Sequence, residues 1–241
     1  MDIASYFRPL ERSPFESEEE QKNILGNKIV KNLEGGPFPD FTEYKLAIIG
    51  VGEDRGSVRN DGCADAPDRV REKLYTLKTT THAYRIVDLG NLIPGAELKD
   101  TYAALSTIMV ELLRNGVFVI ILGGSQDLTY AQYVAYQKLE ETINIVAVDS
   151  KFDLGATDEP ISSESFLGKI VLHEPNFLFN FSNIGYQTYF VGTDQVELMD
   201  KLYFDSFRLG QVHRDIEEAE PIVRNADVLS FDMSAIRQSD A

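Results

Sequence analysis

Ile143-Asn-Ile-Val-Ala-Val148 runs directly into Asp149-Ser-Lys151-Phe-Asp153. A short aliphatic run of this kind fits a strand buried on both faces of a parallel sheet. Val228-Leu-Ser230-Phe231 repeats the arrangement and leads into Asp232-Met-Ser234. Working outward, similar runs lie at 46–51, 85–89, 117–122 and 188–191. Helical patterns separate them at 66–77, 98–115, 126–141, 195–205 and 211–224. Asp65 with Pro67 marks a helix start, and Asn115-Gly116 a stop. Strand alternating with helix predicts an α/β fold, a three-layer α/β/α sandwich around a mainly parallel, doubly wound sheet. Residues 1–40 carry Pro9, Pro14, an acidic stretch at 16–20 and Gly35-Gly36-Pro37. They read as an irregular arm with one short helix, ahead of an α/β domain over 41–241.

Composition narrows the function. The 241 residues, 43% hydrophobic, suffice for a large folded core. No run approaches the roughly 18 apolar residues of a membrane span. Residues 1–8 show no secretory signal pattern. One cysteine, Cys63, cannot form an internal disulfide, which fits a reducing cytoplasm. Lys and Arg number 23 against 39 Asp and Glu, a net charge of −16 that argues against nucleic acid and anionic membranes as partners. Three histidines, His82, His173 and His213, leave no room for a His-rich metal site. All three are expected in loops or at the surface, with His173 able to approach a site from its loop. Cys63 is expected to be a small buried residue, and Tyr130, Tyr133 and Tyr136 to pack one helix face.

Ligands in open α/β sheets bind beyond the carboxyl ends of the strands. Acids follow several runs here. Asp88 and Asp194 are expected to cap a helix or solvate a loop, and Asp127 to sit favourably in the first turn of its helix. Asp149, Lys151 and Asp153 differ. In an extended segment these alternate residues share one face, and two carboxylates held together need a cation or a proton. A metal ion or the Lys151 ammonium could serve. Asp232 and Ser234 form a second alternate pair.

With these residues in view, the sequence resembles the ureohydrolases: arginase, agmatinase and formimidoylglutamase. Ile49-Gly50-Val-Gly52-Glu-Asp54-Arg-Gly56 and Arg59 through Arg71 are similar to the family's opening strand, Gly-rich loop and helix start. Gly123-Gly124-Ser125-Gln126 stands where the family has Gly-Gly-Asp-His. The 149–153 block stands at Asp-Ala-His-x-Asp, and the 230–234 block at Ser-x-Asp-x-Asp. The stretch from Phe177 to Val191 looks closest to the formimidoylglutamase-like branch. The resemblance implies hydrolysis of linear amidines or guanidines by a hydroxide bridging two manganese ions. It implies trimers or hexamers, hence a homo-oligomer, and further strands after the third block, so that a C-terminal part is expected to be missing here.

The six ligand positions that the resemblance implies fall on Gln126, Asp149, Lys151, Asp153, Asp232 and Ser234. One ion would use Gln126, Asp149, Asp153 and Asp232, an all-oxygen set suited to Mg²⁺, Ca²⁺ or Mn²⁺. The second would share Asp149 and Asp232 and need Lys151 and Ser234. A protonated lysine has no lone pair to give and repels a dication. The sequence reading is therefore a non-catalytic homologue, with the Lys151 ammonium in one ion's place beside Asp149 and Asp232, and with no ion or at most one divalent ion bound. A small amidine or amino-acid derivative is its candidate ligand. The alternative is a one-metal hydrolase acting on such substrates.

Overall fold

The computed structural model describes residues 2–11, 23–79, 85–156, 158–237 and 239. Pro14, the acidic stretch at 16–20 and His82 lie outside them, as do Asp240 and Ala241. The chain divides into two compact units, Met1–Ser125 and Gln126–Ala241.

The first unit holds β1 (Phe7–Arg8), β2 (Val30–Lys31), β3 (Leu46–Val51), β4 (Ile86–Leu92) and β5 (Phe118–Gly123). The strand order is β1-β4-β3-β5, with β2 also on β4. All these pairings are parallel except β1 with β4. The arm thus supplies two strands along β4, with 3-10 turns at Ala4–Tyr6 and Leu25–Asn27. Two residues per strand leave too little periodicity to be read locally. Helix α1 (Ala66–Leu74) starts at Asp65 and Pro67 as expected. Helix α2 (Leu98–Arg114) buries Leu105, Ile108, Met109 and Leu112, the spacing of one apolar face. It ends at Asn115-Gly116, where Gly116 takes φ +67°.

Asp88 departs from expectation. It lies inside β4, fully buried, and caps nothing. The Arg71 guanidinium from α1 grips it, with Nε and Nη2 each 2.9 Å from a carboxylate oxygen. Arg71 also donates to Asn91 Oδ1 and the Gly90 carbonyl, and the Tyr75 hydroxyl donates to Asp88 Oδ2 at 2.6 Å. Burial and the adjoining carboxylate push the Tyr75 hydroxyl pKa far up, so it remains a donor. A bidentate Arg–carboxylate pair satisfies both charges at once, and here it ties α1 to the sheet.

The second unit holds β6 (Ile143–Val148), β7 (Leu178–Tyr186), β8 (Asp205–Arg208) and β9 (Val228–Phe231). All are parallel, in the order β8-β7-β6-β9. Helices α3 (Leu128–Lys138) and α4 (Phe166–Val171) pack with Ile143, Ile145, Phe152 and Phe181 into its core. Tyr133 is buried in that core, and Tyr130 and Tyr136 pack against it, as their spacing predicts. The strand expected at 188–191 is a turn, and β7 lies earlier. Asn180, Ser182 and Asn183 disguise β7, since such polar residues usually stay out of a buried strand. Their donors are used locally: Asn180 and Ser182 donate to Asp205, and Asn183 to the Lys151 carbonyl, while the buried Asn183 Oδ1 has no partner among the described residues. The pattern at 195–205 resolves into α5 (Thr193–Lys201), with Asp194 in its first turn, and then β8. That at 211–224 becomes α6 (Leu209–Val212), a 3-10 turn and α7 (Ala219–Arg224).

The Arg71–Asp88 pair sets the first prediction. Replacing Arg71 by Met leaves a buried carboxylate unpaired and lowers unfolding stability by about 3–5 kcal/mol. Adding Asp88→Asn restores a part of the loss. Urea unfolding of both variants checks this, through the non-additivity of the two changes.

Candidate functional site

Strands β6 and β9 are adjacent, so their carboxyl ends deliver Asp149 and Asp232 side by side. The Asp232 amide donates to the Val148 carbonyl at 3.0 Å, which continues the strand pairing into the site. Asp232 then caps a 3-10 turn over Met233–Ala235, where its Oδ1 accepts from the Ser234 amide at 2.6 Å. Ser234 Oγ lies 3.3 Å from Asp149 Oδ1 and 3.2 Å from Ser150 Oγ. Gln126, just ahead of α3, donates from Nε2 to Ser230 Oγ at 3.3 Å and also hydrogen-bonds the Asp149 carboxylate. Asp149, Asp153, Asp232, Gln126 and Ser234 are thus gathered at one end of the β6–β9 pair.

Lys151 breaks the pattern. Its amide donates to Asp149 Oδ1 at 2.9 Å, an Asx-type turn that stops the strand. Asp153 lies in the left-handed region at φ +51°. The segment therefore does not stay extended, and the alternation that would place Lys151 beside Asp149 and Asp153 is lost. The ammonium reaches Glu164 Oε1 instead, at 2.5 Å. Among the described residues it makes no ion pair with Asp149 or Asp232, which corrects the expectation that it stands between them. Both side chains of the Lys151–Glu164 pair remain over a third exposed. Its worth is that of a solvated pair, at most about 1 kcal/mol.

Backbone contacts hold the loop in this shape. The Asp149 amide donates to the Ile184 carbonyl, and the Gln187 amide to that of Ser150. Asn183, fully buried in β7, donates to the Lys151 carbonyl at 2.7 Å. Glu164 and Asn183 are the residues that sequence reading missed. Asn183 left a trace, a polar residue inside a strand. Glu164 left none, because only the turn at 162–165 brings it to Lys151. His173 packs edge-on against Tyr133, ring centroids 5.6 Å apart, and not into the site. Cys63 is half-buried in the first unit.

The acids interact strongly. Burial, then the Asp149 charge and the hydrogen bond to it, hold the Asp153 carboxyl well above its usual pKa. Asp149 is also raised by burial. The hydrogen bond from Asp153 opposes that rise, the Asp232 charge adds to it, and the Lys151 amide and Gln126 oppose it. Of the two, Asp153 is the more readily protonated, with the Asp149 carboxylate as its hydrogen-bond partner. Among the described residues, no three His, Cys, Asp or Glu side chains are grouped to hold a metal ion.

Acids gathered at the carboxyl ends of parallel strands stand where α/β folds bind their ligands. The profile described as the arginase family matches residues 44–241. The chain belongs to the arginase family. It is similar to a formimidoylglutamase of Salmonella paratyphi C, at 30% identity over 135 residues, 54% of this chain and 43% of that protein. The matched segment thus spans less than half of that relative. Among solved structures, formimidoylglutamase from Bacillus subtilis superposes with a TM-score of 0.77 at 17% identity, over 95% of this chain and 76% of that one. Formiminoglutamase from Trypanosoma cruzi, crystallised with Mn²⁺, gives 0.66 at 19% identity over 74% and 66%. At these identities the structural likeness establishes the fold.

Asp153 yields a pH prediction. The folded chain keeps this proton in a range where the unfolded chain has released it, so stability is greatest below about pH 4 for this group. It declines as pH rises through the folded-state pKa. Asp153→Asn, which tolerates the left-handed backbone, flattens the slope and stabilises the chain at neutral pH. Urea midpoints from about pH 4 to pH 8 test it; an unchanged slope in the variant refutes the assignment.

Proposed function

We propose that this chain is a formimidoylglutamase-like member of its family that has lost the dinuclear metal chemistry, a pseudoenzyme retaining a polar site at the ends of β6 and β9. The observation carrying the reading is Lys151, which occupies a ligand position and spends its charge on Glu164. A pair of manganese ions does not fit this donor set. Lysine offers no lone pair when protonated, and Ser234 supplies a neutral hydroxyl already turned to Asp149. With no ion bound, burial and the Asp149 charge favour the protonated form of Asp153. A hydroxide bridging two ions therefore has no place to form.

What remains is a site for a small ligand, an amidine or amino-acid derivative, that is bound and not hydrolysed. Assembly into a homo-oligomer and a cytoplasmic setting belong to the same proposal. No helix among the described residues is long and apolar enough to cross a membrane.

The direct test is metal content by mass spectrometry after incubation with excess Mn²⁺ and desalting. The expected result is retention far below one ion per chain. One tightly held ion per chain would instead favour a single-ion hydrolase using Gln126, Asp149, Asp153 and Asp232. It would justify assays with formimidoylglutamate, agmatine and arginine. A companion variant combining Gln126→His, Lys151→His and Ser234→Asp rebuilds the missing donors and is expected to retain Mn²⁺ under the same treatment.

A further inference from the structure

At the amino ends of the strands in the second unit, away from the aspartates, lies a cavity of about 210 Å³. Its wall follows from the sheet register. Asn144 on β6 stands opposite Asn180 on β7, and Val146 opposite Ser182. Ser182 in turn stands opposite Asp205 on β8. Alternation along each strand puts these five side chains on one face of the sheet, and Pro221 and Ile222 of α7 with Asn225 just beyond it line the rest of this open cavity.

The hydrogen bonds already made determine what the cavity can still offer. Asn180 Nδ2 and Ser182 Oγ both donate to Asp205 Oδ2, at 3.0 and 3.4 Å. Asn144 spends its amide nitrogens, backbone and side chain, on Asp227 Oδ2. Each of these side-chain donors makes one such bond, while among the described residues Asp205 Oδ1, Asn180 Oδ1 and Asn144 Oδ1 accept none. A carboxylate oxygen and two amide oxygens beside the apolar surface of Val146 and Ile222 suit one chemistry: a compact organic cation with several N–H donors and a short alkyl body. An anion would meet the Asp205 carboxylate, and a divalent metal would leave the apolar side unused.

We propose that this cavity binds a small primary alkylammonium ligand, with Asp205 as the charge partner and the two asparagine carbonyls completing the ammonium's hydrogen bonds. The site is separate from the aspartate cluster. Asn144 and Asp149 lie five positions apart along β6, which an extended strand turns into roughly 17 Å. The volume suits a fragment-sized ligand better than a drug-sized one.

The test is a chemical-shift titration of the full chain with n-propylammonium, and with n-propanol as the neutral isostere. Saturable binding of the ammonium, with nuclear Overhauser contacts from its propyl group to the Val146 and Ile222 methyls, is the expected result. Asp205→Asn, checked for folding by circular dichroism, weakens that binding about tenfold or more. Asp149→Asn leaves it unchanged, which separates this site from the aspartate cluster. Absence of those methyl contacts, equal binding of the alcohol, or full retention in Asp205→Asn would overturn the proposal.

Discussion

Two carboxylates brought together in a buried strand end cannot both keep their charge without a cation, and the second unit is arranged around that constraint. Parallel pairing of β6 with β9 makes the meeting of Asp149 and Asp232 unavoidable. The turn at Lys151 and the left-handed backbone at Asp153 then add a third acid. Burial and the neighbouring acids favour the protonated form of Asp153, and the Lys151 charge opposes this while its ammonium pairs with Glu164.

The first unit meets the same electrostatic demand differently. Asp88 is as deeply buried as any acid in the chain, yet a guanidinium two hydrogen bonds wide neutralises it. Glu53 repeats the solution, with Arg55 and Thr101 on its two oxygens. Arginine cannot release its proton, so these clusters hold one charge state and serve architecture. The aspartates of the second unit can exchange protons among themselves.

The edges of the two sheets are treated unequally. One side of β4 is covered by β1 and β2 from the arm. The outer side of β5 has no strand partner among the described residues, although the strand is apolar along both faces. Phe118 and Ile120 are exposed there, and Leu229 and Phe231 are exposed on β9. Such strands carry the composition of a sheet interior at a position where proteins usually place charges or a cover.

Element type was legible in the sequence wherever burial imposed a long period. The aliphatic runs at β3, β4, β5, β6 and β9 and the apolar face of α2 depend only on residues near each other in the chain, as do the caps at Pro67 and Gly116. The same holds for the acid-bearing strand ends that mark the site and its family. Tertiary structure decided the rest. β7 was hidden because its polar residues find partners on β8 and at Lys151. Asp88 is a buried ion-pair member because Arg71 arrives from another element. Lys151 turns to Glu164 because one turn and one left-handed residue end the strand alternation. A residue's place in a strand is set by its neighbours in sequence, whereas the partner of its charge is set by whatever the fold brings alongside.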